Sequence, residues 1–518
     1  MSNDIKKLLD ARNAGGAGLP STPRQDGHIP LKLGHVPVPK ILETQHFLIS
    51  GSTGAGKSQQ LYQMFNAIRA RNEPAIVVDN SAEFTKRYYR PGIDIIFNPF
   101  DVRSVGWSVM NEARDIWDFD FMSQLIVPDI DGPNQDWQMQ AQQLQSNILS
   151  SLFKMYETTG NEAFLSNEAL IYFTTSAPTH SAISTDATAD KTRTLLAALA
   201  DTDENDVDLM KEIRSQIRGA LSVSAGDQNQ ASLQYLLKDT PSKRLFEPGT
   251  EKTLGITLQI LTRYMQPFTY LKEGDFSVRD FVDSFTETEG VKPWLFITYS
   301  ASSYAAVRTI IALLVTFAVQ AGIDLEEDMT FERRFFFMLD ELSSLEKIPA
   351  LEAGLTKLRK YGGVVIASLQ TIAQLELETK YGKIGAQILL ANFGNLLMLK
   401  TADNDTAERL SLLVGDIELE QTSETKGVSA NSGKGGASDG WSSSTTTQLV
   451  IKRRILPSRF YNLRRMHGYV RIAGDETADI NEVTATRIPD ARMPIIEPGI
   501  MLRPDVRLKR PPRKKKVA

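Results

Sequence analysis

The chain has 518 residues, 42% hydrophobic and 23% charged, a profile of soluble globular proteins and long enough for two or more cores. It contains no cysteine, which excludes disulfides, thiolate zinc sites and a cysteine nucleophile, and its five histidines argue against a histidine-rich metal site. The net charge of −5 is small for this size, so any nucleic-acid-binding surface must be local.

Residues 1–28, with "NAGGAGLPSTPRQDGH", predict a flexible lead-in and show no signal-peptide pattern. "IPLKLGHVPVPK" follows as a short hairpin or edge strand, because its prolines cannot serve a central ladder. "HFLIS" predicts a short buried strand, Lys57 to Arg71 a helix, and "PAIVVDN" and "IDIIFNP" two further strands. Strands alternating with helices point to a mainly parallel sheet. Residues 29–133 are therefore read as the first part of a nucleotide-binding domain.

From 134 to 271 strand-like runs vanish, and segments such as "WQMQAQQLQSNILSSLFKMY" predict an inserted all-α domain. The sheet resumes over 272–490 with "WLFITYS", "RFFFMLDE", "GGVVIASLQ" and "NLLMLKT". The apolar run "TIIALLVTFAVQAGI" from Thr309 is shorter than the ~20 residues of a membrane span and predicts a buried helix. The chain is thus not expected to cross a membrane by itself. The Ser/Thr/Gly-rich stretch 422–447 predicts a mobile loop, "HGYVRIAG" a closing strand or two, and 491–518 a basic tail ending in "RLKRPPRKKKVA".

The octet Gly51-Ser52-Thr53-Gly54-Ala55-Gly56-Lys57-Ser58 lies between predicted strand and helix and matches G-x-x-x-x-G-K-[ST]. Its glycines let consecutive backbone N–H groups converge on a phosphate, to which the helix adds its positive end. Lys57 reaches the terminal phosphate oxygens and Ser58 can ligate Mg²⁺, so the implied ligand is a nucleotide with Mg²⁺. Five apolar residues before Asp340-Glu341 predict a buried strand that carries Asp340 as the Mg²⁺-side carboxylate and Glu341 to polarise the attacking water. A helix amino terminus favoured by its dipole is the plainer reading of that pair. Gln370, at the tip of the next strand, suits a sensor of the terminal phosphate or a simple loop cap. Arg359 precedes the Gly362-Gly363 turn. It is either a surface arginine or one that reaches a neighbouring subunit's phosphate loop.

Together these residues resemble the TraD/TrwB family of type IV secretion coupling proteins, the hexameric ATPases of bacterial conjugation. The likeness runs from about Ile29 to Arg487. It is carried by "GHVPVPKILETQHFLISGSTGAGKS", "IIFNPFDVRSVGWSVMNE", "FFFMLDELSSL", "LRKYGGVVIASLQTIAQL" and "LPSRFYNLRRMHGYVRIAG". The resemblance implies a RecA-like P-loop NTPase with the helical insertion at a channel mouth. It makes Arg359 the finger supplied in trans and Gln370 the sensor. It further implies a homo-hexameric DNA-translocating ATPase that drives single-stranded DNA and its relaxase to a type IV secretion channel. Its place would be the cytoplasm, at the cytosolic face of the bacterial inner membrane, reached through an anchor or partner proteins.

Three features depart from the family pattern. The paired transmembrane helices with which members usually begin are absent from this sequence. Ala82 stands where glycine is usual, which weakens any role for Asp79 or Glu83. The extreme carboxyl terminus is basic rather than acidic. Lys191, Arg193, Lys211, Arg214 and Arg218 are DNA-contact candidates by charge alone, with a solvated helix face the plainer account. The rival functions are a double-stranded DNA translocase of FtsK/HerA type and an ATP-dependent adaptor for secretion substrates that pumps no DNA. A nucleotide binder without turnover is disfavoured by Glu341.

Overall fold

A computed structural model of the chain describes residues 28–130, 132–174, 233–287, 289–330, 332–431, 438–474 and 483–506. The lead-in, the five basic insertion residues and the basic tail from Arg507 onward lie outside the described residues, apart from the start of the segment at His28. The strands in chain order are β1 Lys32–Leu33, β2 Val36–Pro37, β3 Phe47–Ser50, β4 Ala75–Asn80, β5 Ile95–Phe97, β6 Trp294–Tyr299 and β7 Phe335–Leu339. They continue with β8 Gly363–Leu369, β9 Asn395–Leu399, β10 Asp416–Asn431, β11 Ser438–Arg453, β12 His467–Arg471 and β13 Val483–Arg487.

The chain divides into two compact units. The first takes the sequence up to Arg71, Glu341–Ser344 and Val364–Met493; the second takes Asn72–Asp340, Leu345–Gly363 and the sequence from Pro494. In the first unit the strands run in the order β13-β12-β9-β3-β8. β3 lies parallel to both β8 and β9, and β12 runs antiparallel to β9 and β13. β3, β8 and β9 are buried at every position, which is why each reads as a continuous apolar run rather than an alternating one.

The second unit orders its strands β7-β4-β6-β5, all parallel. Its described helices include Asp118–Ile126, Gln135–Thr159, Asn167–Thr174, Glu251–Met265 and Tyr304–Asp324. The last of these is a correction to the sequence reading. The helix runs 21 residues, because it extends toward its amino end through Tyr304 to Arg308, and so it is long and apolar enough to cross a membrane. Two-thirds of its most apolar window (67%) is nevertheless buried inside the fold. Val319 lies so close to Gly354 that a methyl group there would sit 2.5 Å from Val319 Cγ1.

The expected loop over 422–447 is a second correction. β10 and β11 pair there as a long antiparallel hairpin, in register from Asp416↔Arg453 to Asn431↔Ser438. Its Ser/Thr-rich composition suggested coil, but threonines and alternating polar side chains tolerate an extended ladder open to solvent, and no proline interrupts either strand.

Candidate functional site

The phosphate loop leaves β3 where two parallel neighbours end. Gly51 N–H donates to Leu369 O at the end of β8 (3.1 Å), and Ser52 N–H donates to Lys400 O just beyond β9 (2.8 Å). The loop is therefore tied on both sides at the carboxyl ends of the strands, the end of a parallel sheet at which ligands collect. Gly54 and Gly56 hold φ of 75° and 128°, which a side chain would strain, and a Cβ at Gly54 would stand in open space. Helix Lys57–Ala70 then begins with Gly56 at its N-cap and no side-chain cap. The positive end of its dipole thus lies at the loop. Lys57 Nζ donates to Gly51 O (2.7 Å), which folds the side chain back over the loop. Ser58 is half-buried in the first helical turn. A helix amino terminus, a cradle without side chains and an ammonium group fit a nucleotide's phosphates, and the Ser58 hydroxyl fits a divalent cation beside them.

Glu341 and Gln370 join this loop within the same unit. Glu341 follows β7 with φ of 62°, a left-handed backbone that costs a non-glycine residue about 1–3 kcal/mol. Its N–H donates to Ser368 Oγ on β8 (3.2 Å), which holds the turn. Its carboxylate Oε1 accepts from the Gln370 N–H (3.1 Å) and from the Ser343 hydroxyl. The Gln370 side chain faces the loop, where its Oε1 accepts from Thr53 Oγ1 (2.9 Å). Gln370 thus touches the phosphate loop with its side chain and Glu341 with its backbone.

Asp340 and Arg359 belong to the second unit. Asp340 is half-buried at the end of β7, and its N–H donates to Val78 O of β4 (3.2 Å). Arg359 is exposed on the 3-10 turn Leu358–Tyr361. In the same unit Asp79 is fully buried and is engaged by its own turn, accepting from the Thr85 N–H (2.7 Å) and hydroxyl (2.6 Å). Ala82 takes φ of 52°, so the glycine expected at that position has a backbone reason.

The contributions of Ser343, Ser368, Lys400 and Met466 were missed. Met466 N–H donates to Ala55 O (2.9 Å), bracing the loop from beyond β11. Ser343 lies in the quoted "DELSSL", but nothing in a serine pair signals a carboxylate partner. Lys400 and Met466 act through backbone groups, which no sequence pattern marks.

The family described as "Type IV secretion-system coupling protein DNA-binding domain" matches residues 30–200 and 190–485. The coupling protein TraD of Escherichia coli K12 is 26% identical over 415 residues. That match covers 79% of this chain and 49% of TraD, so the chain spans about half the length of this curated relative. Among solved structures, the unbound bacterial conjugative coupling protein TrwBΔN70 superposes with a TM-score of 0.67 at 23% identity. It covers 96% of this chain and 94% of that one. TrwB in complex with ADP and Mg²⁺ gives the same TM-score, identity and coverage. The fold is accordingly that of a RecA-like P-loop NTPase with added helical regions. With most of its length matched by the family pattern, the chain belongs to the TraD/TrwB family of type IV secretion coupling proteins.

Proposed function

We propose that this chain is the ATP-hydrolysing motor subunit of a conjugation apparatus. Six copies form a ring that drives single-stranded DNA with its relaxase to a type IV secretion channel, at the cytosolic face of the bacterial inner membrane. One observation carries the reading: Gln370 is bonded at once to Thr53 of the phosphate loop and to Glu341. The relatives TraD and TrwB, the latter solved with ADP and Mg²⁺ and with non-hydrolysable ATP and GTP analogues, support the nucleotide and the conjugative role.

Each residue then has a defined task. The N–H groups from Gly51 to Ser58 hold the phosphates, and Lys57 moves from Gly51 O to the terminal phosphate oxygens. Ser58 and Asp340 would hold Mg²⁺, which when bound would supply charge neutralisation at those oxygens. Glu341 accepts a proton from the attacking water, using the carboxylate that Gln370 N–H and Ser343 orient. Gln370 registers the terminal phosphate and passes its loss to the strand behind it. Arg359, exposed in one subunit, serves the phosphate loop of the next, where an arginine supplied in trans is worth ~10³–10⁵ in rate.

Steady-state ATP hydrolysis measured against protein concentration, with and without long single-stranded DNA and beside Lys57→Ala, tests the reading. Specific activity should rise with protein concentration and jump with DNA. Activity that is flat and indifferent to DNA, yet lost in Lys57→Ala, would leave an ATPase and remove the DNA motor in favour of a protein adaptor. A preference for duplex would favour a double-stranded DNA translocase.

A further inference from the structure

Residues 494–506 form a strap on the second unit, tied down through polar groups. The N–H groups of Ile496 and Glu497 both donate to Lys86 O (2.9 and 3.0 Å). Val102 N–H donates to Met501 O (2.9 Å), Met501 N–H to Asp101 Oδ2 (2.9 Å) and Arg503 N–H to Phe100 O (2.8 Å). Arg103 donates to Gly499 O. The strap's apolar side chains are left outside this network: Ile495 is 63% exposed, Ile496 57%, Leu502 44% and Met501 39%. We infer that this strap and the basic run after it form a docking surface for an anionic membrane. The aliphatic side chains enter the boundary of the acyl chains, and the cations lie against the headgroups. The inference goes beyond the proposed motor and uses none of the residues given a part in ATP hydrolysis.

Three observations lead there. The first is the mismatch within the strap. A singly exposed aliphatic residue is ordinary, but here four stand within the eight residues 495–502, on a backbone that hydrogen bonds hold in place. The second is charge. Seven of the ten residues 507–516 are Lys or Arg and none is acidic, in a chain whose net charge is −5. The strap's own acids offset little of this, since Asp505 is already bound by Arg503 and Glu497 is half-buried. Arg507 follows Leu502 by five positions, at most about 18 Å of chain, so cations and aliphatic groups reach one surface together. An apolar wedge or a basic cluster alone binds a bilayer weakly and reversibly, and the two together hold it.

The third observation separates lipid from nucleic acid. Residues 494–518 contain no Phe, Trp or Tyr, so the surface has no ring on which a base could stack. Ile, Leu and Met instead match acyl chains.

The test is co-sedimentation of the full chain with vesicles of phosphatidylcholine alone or with about a third phosphatidylglycerol, a source of anionic headgroups. The chain should bind the anionic vesicles only, and added salt should release it. Each surface cation is worth about fivefold, so changing Arg513, Lys514, Lys515 and Lys516 together to Gln should weaken binding roughly a hundredfold or more. Ile495→Ser with Ile496→Ser should weaken it about tenfold, with the salt dependence kept. Thermal unfolding of both variants should match that of the unaltered chain. Because the chain has no cysteine, Ile496→Cys also takes an environment-sensitive dye at one position, whose emission should shift to the blue on anionic vesicles. Equal binding to both vesicle types, or undiminished binding after the four Gln changes, would overturn the inference. So would an unshifted dye together with full binding by the Ile495/Ile496 variant, since the tail would then act by charge alone. If the four Gln changes weakened a single-stranded oligonucleotide and spared the vesicles, the tail would be a DNA contact and the membrane surface would fall. ATP hydrolysis is read separately, so each of these failures leaves the motor reading standing.

Discussion

The phosphate loop of the first unit and the Asn98–Trp107 stretch of the second both follow a parallel strand and both carry the family likeness, yet they treat polar groups in opposite ways. Around the loop the fold leaves capacity open. The helix has no side-chain cap, Thr53 and Gln370 are exposed, and Glu341 holds a strained backbone. Around Asn98–Trp107 the fold consumes it. Asn98 bonds to Thr298 (3.1 Å), and Trp107 Nε1 donates to the buried Glu112 (2.7 Å). Glu112 also accepts the N–H groups of Val278 (2.8 Å) and Arg279 (3.0 Å), capping a helix start. Asp101 binds the Arg103 side chain and the Met501 N–H (2.9 Å). Nearby, Arg279 and Asp118 form a buried bidentate pair at 2.7 and 2.8 Å. Of two stretches that carry the likeness, one keeps exposed polar side chains beside a strained turn, and the other spends most of its polar groups inside the fold.

Glu341→Gln should break the loop side without touching the other. The expected fall in kcat is ~10²–10⁴ at saturating ATP, with ATP binding and thermal stability nearly unchanged. An equal loss of stability, read by thermal unfolding, would make Glu341 structural and blur the contrast.

Arg279→Ala should do the reverse. It strands Asp118 as a buried unpaired carboxylate, a loss of ~3–5 kcal/mol in urea unfolding if the unit unfolds in one step. Nucleotide affinity in the folded fraction should hold. Pairing Arg279→Met with Asp118→Leu should recover most of the stability, because the charge left behind, more than the lost attraction, sets the cost. No recovery would mean that the pair specifies the local fold.

Two carboxylates give the second unit pH dependences of opposite sign. Burial raises Asp79 from 3.8 to about 6, against the Thr85 hydrogen bonds that lower it. Its folded value exceeds its unfolded one, so the folded state holds the proton more tightly and stability falls as pH rises from about 4 to about 6. Asp79→Asn should remove that slope and gain up to ~3 kcal/mol at pH 7. Burial also pushes Asp118 up, but the Arg279 hydrogen bonds, the Arg114 and Asp115 N–H groups and the Arg279 charge together outweigh it and hold the group below its usual range. That contribution is present at neutral pH and is lost as pH falls below about 4. Urea midpoints of each variant from pH 3 to 8 separate the two, and a slope unchanged in Asp79→Asn would assign it to other groups.

The smallest effect should come from Thr53→Val, which removes one exposed hydroxyl from Gln370. A single hydrogen bond of ~0.5–1.5 kcal/mol predicts about a two- to tenfold fall in kcat. ATP affinity should stay near that of the unaltered chain. A change confined to affinity would make Thr53 a phosphate ligand rather than a support for Gln370.

Much of this was legible in the chain itself. The octet at Gly51–Ser58, the apolar run into Asp340-Glu341 and the run ending at Gln370 are local patterns, fixed by buried strands that must be apolar throughout and by turns that need glycine. The hairpin over 416–453 was misread because exposed strands carry no burial pattern to announce them. The full length of the Tyr304–Asp324 helix was missed because Arg308 broke its apolar run. Only the tertiary structure put Gln370 between Thr53 and Glu341, gave Ser343 and Ser368 to the carboxylate, and seated Met466 against Gly56. Apart from Ser343, which lies two positions from Glu341, those contacts join residues tens to hundreds of positions apart through parallel pairing and side-chain or backbone hydrogen bonds. Such pairing depends on which strands become neighbours, and no local pattern encodes that.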